Sequence, residues 1–96
     1  MNDALFEWDS ANIDHIAEHD VAPEEAEEAI LGDPLEAGFE KSADGEDRWT
    51  YVGETVEDRF LQVVITMRGE RIRVVTAFEP IRRFKLLYMQ SKAGQL

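Results

Sequence analysis

The chain of 96 residues contains no cysteine. That excludes disulfides and thiolate metal sites. No apolar run approaches the roughly 20 residues that span a membrane. The opening, Met1-Asn2-Asp3-Ala4, has neither the basic residues nor the apolar stretch of a secretory signal. A cytoplasmic protein is therefore the expectation. Also missing are the glycine-rich phosphate loops, the G-x-S-x-G elbow and the H-E-x-x-H pair, so no nucleotide, serine-hydrolase or zinc-protease signature is available. Internal repeats and low-complexity tracts are lacking too. The length suits one domain, residues 1–96.

What the chain has in excess is acid, and it is unevenly placed. Residues 1–58 hold 19 of the 21 acidic side chains and two bases, Lys41 and Arg48; residues 59–96 hold two acids, Glu70 and Glu79, and eight bases. The two parts carry −17 and +6, which the overall −11 conceals. A polyanion such as RNA would be repelled by the first part and met by the second. A basic surface, on another protein or a second copy, would prefer the first.

Leu5-Phe6-Glu7-Trp8 alternates weakly and reads as a short edge strand. Asp9 and Ser10 are good N-caps for a helix to about His19 with Ile13, Ile16 and Ala17 inward. Pro23, Glu24 and Glu25 open a second helix to Leu31, burying Ala26, Ala29 and Ile30, and Gly32 stops it. Leu35 to Phe39 suits a short strand and residues 42–47 a polar loop. Strands follow over Arg48–Thr55, Phe60–Met67 and Ile72–Phe78. Pro80 opens a last helix whose Ile81, Phe84, Leu87 and Tyr88 form a core stripe.

With Gly69-Glu70 as a two-residue turn, Met67 pairs with Ile72, Ile65 with Val74, Val63 with Thr76 and Leu61 with Phe78, all on one face. Thr66 and Arg73, Val64 and Val75, and Gln62 and Ala77 share the other. The first is the expected core face and the second half open. A turn at Glu57-Asp58 adds Trp49 and Tyr51 to the open face.

Arg73 then stands mid-strand on that face beside aromatics, where a guanidinium can hold a phosphate and stack on a base. The alternative is an Arg paired with a carboxylate. His15 and His19, four apart, share a helix face, but no third metal ligand is evident and no metal site is expected. An imidazole titrates near neutrality, so His19 suits a general acid or base, or a helix C-cap. The cluster Glu24, Glu25, Glu27, Glu28 reads as a solvated helix face. Arg82, Arg83 and Lys85 can contact phosphate or an acidic protein.

Phe6-Glu7-Trp8-Asp9, Asn12, His19-x-Val21 and Glu24-Glu25-Ala26 together resemble the N-terminal signature of the BrnT toxin family. Arg59-Phe60-Leu61-x-Val63-Val64 resembles its G-R-x-L-x-V-V strand, Arg71 to Ala77 its R-I-R-I-I-S-A, and Tyr88 a usual tyrosine of its last helix. The resemblance covers residues 6–88. It implies the toxin half of a type II toxin–antitoxin pair, with a RelE-like α+β fold, metal-independent RNA cleavage without a cofactor, and a ribbon-helix-helix antitoxin. Three positions depart from the pattern: Phe78 replaces a usual Arg, Phe84 a usual Glu, and Asp20 the Gly after the histidine.

The reading is thus an α+β domain with an antiparallel sheet of about four strands, two N-terminal helices and a C-terminal helix. Its expected function is that of a ribonuclease toxin or a catalytically weakened relative. Arg73, His19 and Arg59 are the catalytic candidates, and Arg82, Arg83, Trp49 and Tyr51 the RNA-binding ones. The alternative is a non-catalytic protein-binding module of the same fold. The expected partners are an antitoxin, RNA for an active enzyme, or a second copy, and no membrane.

Overall fold

Asp9 starts the first helix. Its carboxylate accepts from Ala11 N at 2.9 Å and Asn12 N at 3.2 Å, and Asn12 Oδ1 accepts from Asp9 N at 2.8 Å, so three amides at the helix start are satisfied, two side chains capping reciprocally. The computed structural model describes residues 2–94. In chain order it contains α1 (Ser10–Ala17), α2 (Pro23–Leu31), β1 (Leu35–Glu40), β2 (Arg48–Glu54), β3 (Phe60–Arg68), β4 (Arg71–Phe78) and α3 (Arg82–Ala93). The four strands form one antiparallel meander in the order β1-β2-β3-β4. This is the expected α+β architecture.

α1 ends earlier than its pattern suggests. Asp20 N donates to Ala17 O at 3.0 Å and Val21 N to Ile16 O at 3.1 Å, a Schellman closure. Asp20 takes the left-handed backbone such a closure needs, at φ 60. A glycine would take this backbone without strain. Of the three residues expected inward, only Ile16 is fully buried; Asn12 is also buried, and Ala17 is exposed. Asn12 is paired, its Nδ2 donating to Glu7 O at 3.0 Å and Val74 O at 3.2 Å.

Leu5–Glu7 is a single parallel bridge beside β4, Phe6 to Ile72, and not the expected edge strand. Glu7 N donates to Ile72 O and Ile72 N to Leu5 O, both at 2.8 Å. The bridge seals the outer edge of β4 and sets Glu7 beside Arg73.

Two registers differ from expectation. Between β2 and β3 the turn is a three-residue loop, Val56-Glu57-Asp58. Asp58 N donates to Thr55 O at 3.0 Å, Thr55 N to Arg59 O at 2.9 Å, and Asp58 stands at φ 64. This is the type I turn closed by a left-handed residue that three-residue hairpins use. The extra residue shifts the pairing by one, giving Trp49↔Ile65, Tyr51↔Val63 and Gly53↔Leu61. A shift of one reverses every side chain, so Trp49 and Tyr51 pack on the helix-covered face and not the open one. Between β3 and β4 the pairing is as expected from Met67↔Ile72 to Ile65↔Val74, then slips past Val75 to Val64↔Thr76, Val63↔Ala77 and Gln62↔Phe78. A bulge at Val75 thus puts Ala77 in the core and turns Thr76 out.

α1 and α2 cover the first sheet face around Ile16, Val21, Ala26, Ala29, Leu61, Val63, Ile65, Val74 and Ala77, with Phe6 closing one end. A Cβ at Gly53 would be driven into the Ala29 carbonyl, so only glycine lets α2 approach this closely. α3 covers only part of the second face, packing on β1 and β2. Tyr88 is its one buried residue. The expected stripe is corrected here: Phe84 is half-buried, and Ile81 and Leu87 are 45% and 44% exposed.

Candidate active site on the open sheet face

The registers align Arg48, Thr66 and Arg73 across β2, β3 and β4. Thr66 pairs with Arg73, and Arg48 is next in register after Trp49↔Ile65. The three line a cavity of about 420 Å³ that Arg68, Glu46, Ala11, Asn12, His15, Val74 and Val75 complete. A second hollow, of about 360 Å³, shares Arg48 and Val75 and continues over Thr50, Val64 and Thr76 to Gly38, Phe39 and Glu40. Together they form a trough over the part of the sheet that α3 leaves open.

His15 reaches the trough because β4 is the sheet edge on that side and the bulge turns Thr76 outward. Its Nε2 lies 3.0 Å from Thr76 Oγ1 and its Nδ1 3.4 Å from Glu18 Oε2. Thr66 is buried, donating to Asp47 O at 2.7 Å, which fixes the 46–48 segment over the cavity.

Most of the cation charge is already met. Arg73 bonds Glu7 at 3.0 Å and both oxygens of Asp9 at 3.0 and 3.2 Å, with its side chain 14% exposed. The Arg73 hydrogen bond, helped by the α1 amides, holds the Asp9 carboxyl below its ordinary range. Asp9, in turn, raises Arg73 above its own. Arg68 bonds Glu46 at 3.1 Å and lies 3.7 Å from Glu7. Arg48 differs: it is exposed, and among the described residues its side chain makes no hydrogen bond or close ion pair, only a longer-range attraction to the Asp44 carboxylate. Arg73 and Arg68 thus hold Glu7, Asp9 and Glu46 directly, while Arg48, with only Asp44 nearby, is the guanidinium most open to an anion.

Of the expected catalytic residues, Arg73 lines this cavity. His19 lies outside the lining, exposed, with its ring 5.7 Å from Phe78 and 5.5 Å from the His15 ring. Arg59 is elsewhere: it donates to Asp20 O at 2.7 Å and pairs with Glu25 at 3.1 Å. Six strand steps separate Phe60 from Thr66, about 20 Å at 3.3 Å per residue. Arg59 and Arg73 therefore cannot grip one phosphate. Arg82 and Arg83 sit on the outer side of α3. Trp49 meets the Phe39 ring at a tilt, centroids 5.3 Å apart, and Tyr51 donates to Glu36 at 3.3 Å; burial, then Glu36, raise the Tyr51 phenol.

Sequence reasoning missed Arg48 and Arg68 and weighed His15 only as half of a metal pair. The correct β2–β3 register would have found Arg48, in one row with Thr66 and Arg73. Among the described residues no three His, Cys, Asp or Glu side chains are grouped to hold a metal ion.

Residues 8–81 match the family described as the ribonuclease toxin BrnT of type II toxin–antitoxin systems. The chain belongs to the BrnT family. The match takes in α1, α2 and the whole sheet and stops where α3 begins. No curated protein matches the chain. Membership in a type II BrnT family implies an antitoxin protein as partner. Among the described residues no helix is long and apolar enough to cross a membrane.

Proposed function

We propose that this BrnT chain is a metal-independent ribonuclease acting in the trough of the open sheet face. The row Arg48–Thr66–Arg73 beside His15 carries the reading. RNA cleavage without a metal requires removal of the 2′-hydroxyl proton, protonation of the leaving 5′-oxygen, and positive charge around the crowded phosphate. Arg48 supplies the first phosphate contact because no carboxylate hydrogen-bonds its guanidinium among the described residues. Arg73 joins once a phosphate displaces Asp9 or Glu7. His15 takes the 2′ proton, and His19, 5.5 Å away, returns one to the leaving oxygen. Arg59 ties the α1–α2 turn to the β2–β3 loop and has no part in the chemistry.

The full toxin role follows: a cytoplasmic enzyme that binds RNA and is held silent by a ribbon-helix-helix antitoxin. A second reading is a catalytically silent relative that only binds its partner. The observation favouring it is that Arg73 and Arg68 already hold carboxylates. Purified protein incubated with total RNA in EDTA decides between them. Cleavage abolished by His15→Ala supports the enzyme. Intact RNA, with antitoxin binding retained, supports the silent relative.

A further inference from the structure

α3 is amphipathic the wrong way round. Tyr88 alone is buried, donating to Glu54 at 3.1 Å, and Lys92 pins the far end to Asp33 at 2.7 Å. The outward side keeps Leu86 and Leu87 at 46% and 44% exposure, with Met89 at 49%. Arg82, Leu86 and Gln90 form one ridge four residues apart, and Arg83 and Leu87 a second. The depression they line, about 390 Å³, is aliphatic between its two arginines. A furrow between such i, i+4 ridges is the shape that accepts a ridge of another helix.

The charges define the visitor. The chain has 21 acids for ten bases, and Arg59, Arg68, Arg73 and Lys92 all hold carboxylates. Among the described residues Arg82 and Arg83 hold none; Arg83 lies over the Phe84 ring, at 5.1 Å. Unpaired arginines beside exposed leucines call for carboxylates beside aliphatic side chains. The lining of the depression offers RNA no aromatic platform, Phe84 being half-buried beneath Arg83, and RNA has little use for the leucines.

We infer that the outer face of α3 docks an acidic amphipathic helix of the antitoxin, with leucine-type anchors over Leu86 and Leu87 and carboxylates on Arg82 and Arg83. The inference rests on the partner that family membership implies and not on the nuclease reading, so it stands or falls separately. Since α3 lies beyond the matched 8–81 segment, the surface would let a toxin of common fold choose its own partner.

The test uses the intact protein and two synthetic helical peptides with leucines at i, i+3, i+4 and i+7, one flanked by glutamates and the other by lysines. Fluorescence anisotropy should show binding of the glutamate peptide and at least tenfold weaker binding of the lysine peptide. Leu86→Ser with Leu87→Ser should weaken the first at least tenfold while leaving Tm unchanged, since both side chains are half in water. Arg82→Glu with Arg83→Glu should reverse the preference. Equal binding of both peptides, or affinity indifferent to the α3 substitutions, overturns the proposal. So does a single-stranded RNA that binds in a manner dependent on Arg82 and Arg83 while the glutamate peptide does not. A dimer by sedimentation that Leu86→Ser with Leu87→Ser dissolves would assign the face to a second copy.

Discussion

Asp9 and Arg73 meet through two hydrogen bonds, at 3.0 and 3.2 Å, and the same carboxylate caps α1. One acidic group therefore fixes the helix start and occupies the cation of the candidate site. The two tasks are separable, because asparagine caps a helix almost as well as aspartate but cannot neutralise an arginine.

Asp9→Asn should keep α1 in place and free Arg73. Inorganic phosphate, followed by chemical shift changes around Thr66 and Arg73, should bind more tightly to the variant. If cleavage occurs, it should accelerate. Asp9→Ala should instead lower Tm through loss of the cap. The pH sign follows from the depressed carboxyl: its stabilisation is complete above the ordinary aspartate value of 3.8 and is lost as pH falls through the lower folded value. The Tm gap between wild type and Asp9→Ala should therefore be full at pH 7 and close in strong acid.

Asp20 carries a left-handed backbone at φ 60. That conformation costs an L-residue roughly 1–2 kcal/mol, aspartate less than most. Asp20→Gly should raise stability by about 0.5 kcal/mol, and Asp20→Val should lower it by about 2 kcal/mol. Urea unfolding of the three proteins measures both. Arg59 should retain its hold on the carbonyl of residue 20 in each, since that contact uses backbone.

Tyr88 should report the docking of α3. Burial first, then the bond to Glu54, push its phenol from 10.0 to about 12. A raised folded value means stability that is full below pH 10 and drains away as pH climbs toward 12. Absorbance titration at alkaline pH should show Tyr88 ionising late, together with loss of α3 helix signal. Tyr88→Phe should remove the late phase.

For an active nuclease, Arg48→Ala should slow cleavage by roughly tenfold to a hundredfold without moving Tm, because the side chain is exposed and unpaired. Arg73→Ala should cost about a hundredfold, near 3 kcal/mol of barrier, and also some stability. Phe78→Arg should speed cleavage by adding a cation beside His19, and the half-buried edge position should accommodate it. A gel of total RNA across these variants reads all three effects.

Which elements form was legible in the sequence; which faces they turn was less so. Alternating apolar residues announce β3 and β4, Pro23 and Gly32 bracket α2, and Asp9 announces α1. The placement of Trp49 and Tyr51, by contrast, hung on whether the β2–β3 turn has two residues or three. Asp58 decides that by accepting a left-handed backbone, which its residue type permits without announcing. Thr76 was misplaced because the bulge at Val75 arises from packing across strands, where no local pattern marks it. His15 meets Thr76 at 3.0 Å because the bulge turns that hydroxyl outward. The α3 stripe failed for a related reason: helical spacing shows that a face is apolar, and not whether anything covers it.

The bridge from Phe6 to Ile72 joins segments that are synthesised far apart. The meander can pair hairpin by hairpin as it emerges, each strand finding the one just made. Glu7 and Asp9 must wait for β4 before they have an arginine to meet, and Phe6 must wait for its lid. The cavity walls therefore come from segments 64 to 66 residues apart in the chain. A chain that stopped before β4 would have neither Arg73 nor an edge to fasten its beginning. In this fold the trough is assembled only once β4 has been made, after α1, α2 and the other three strands.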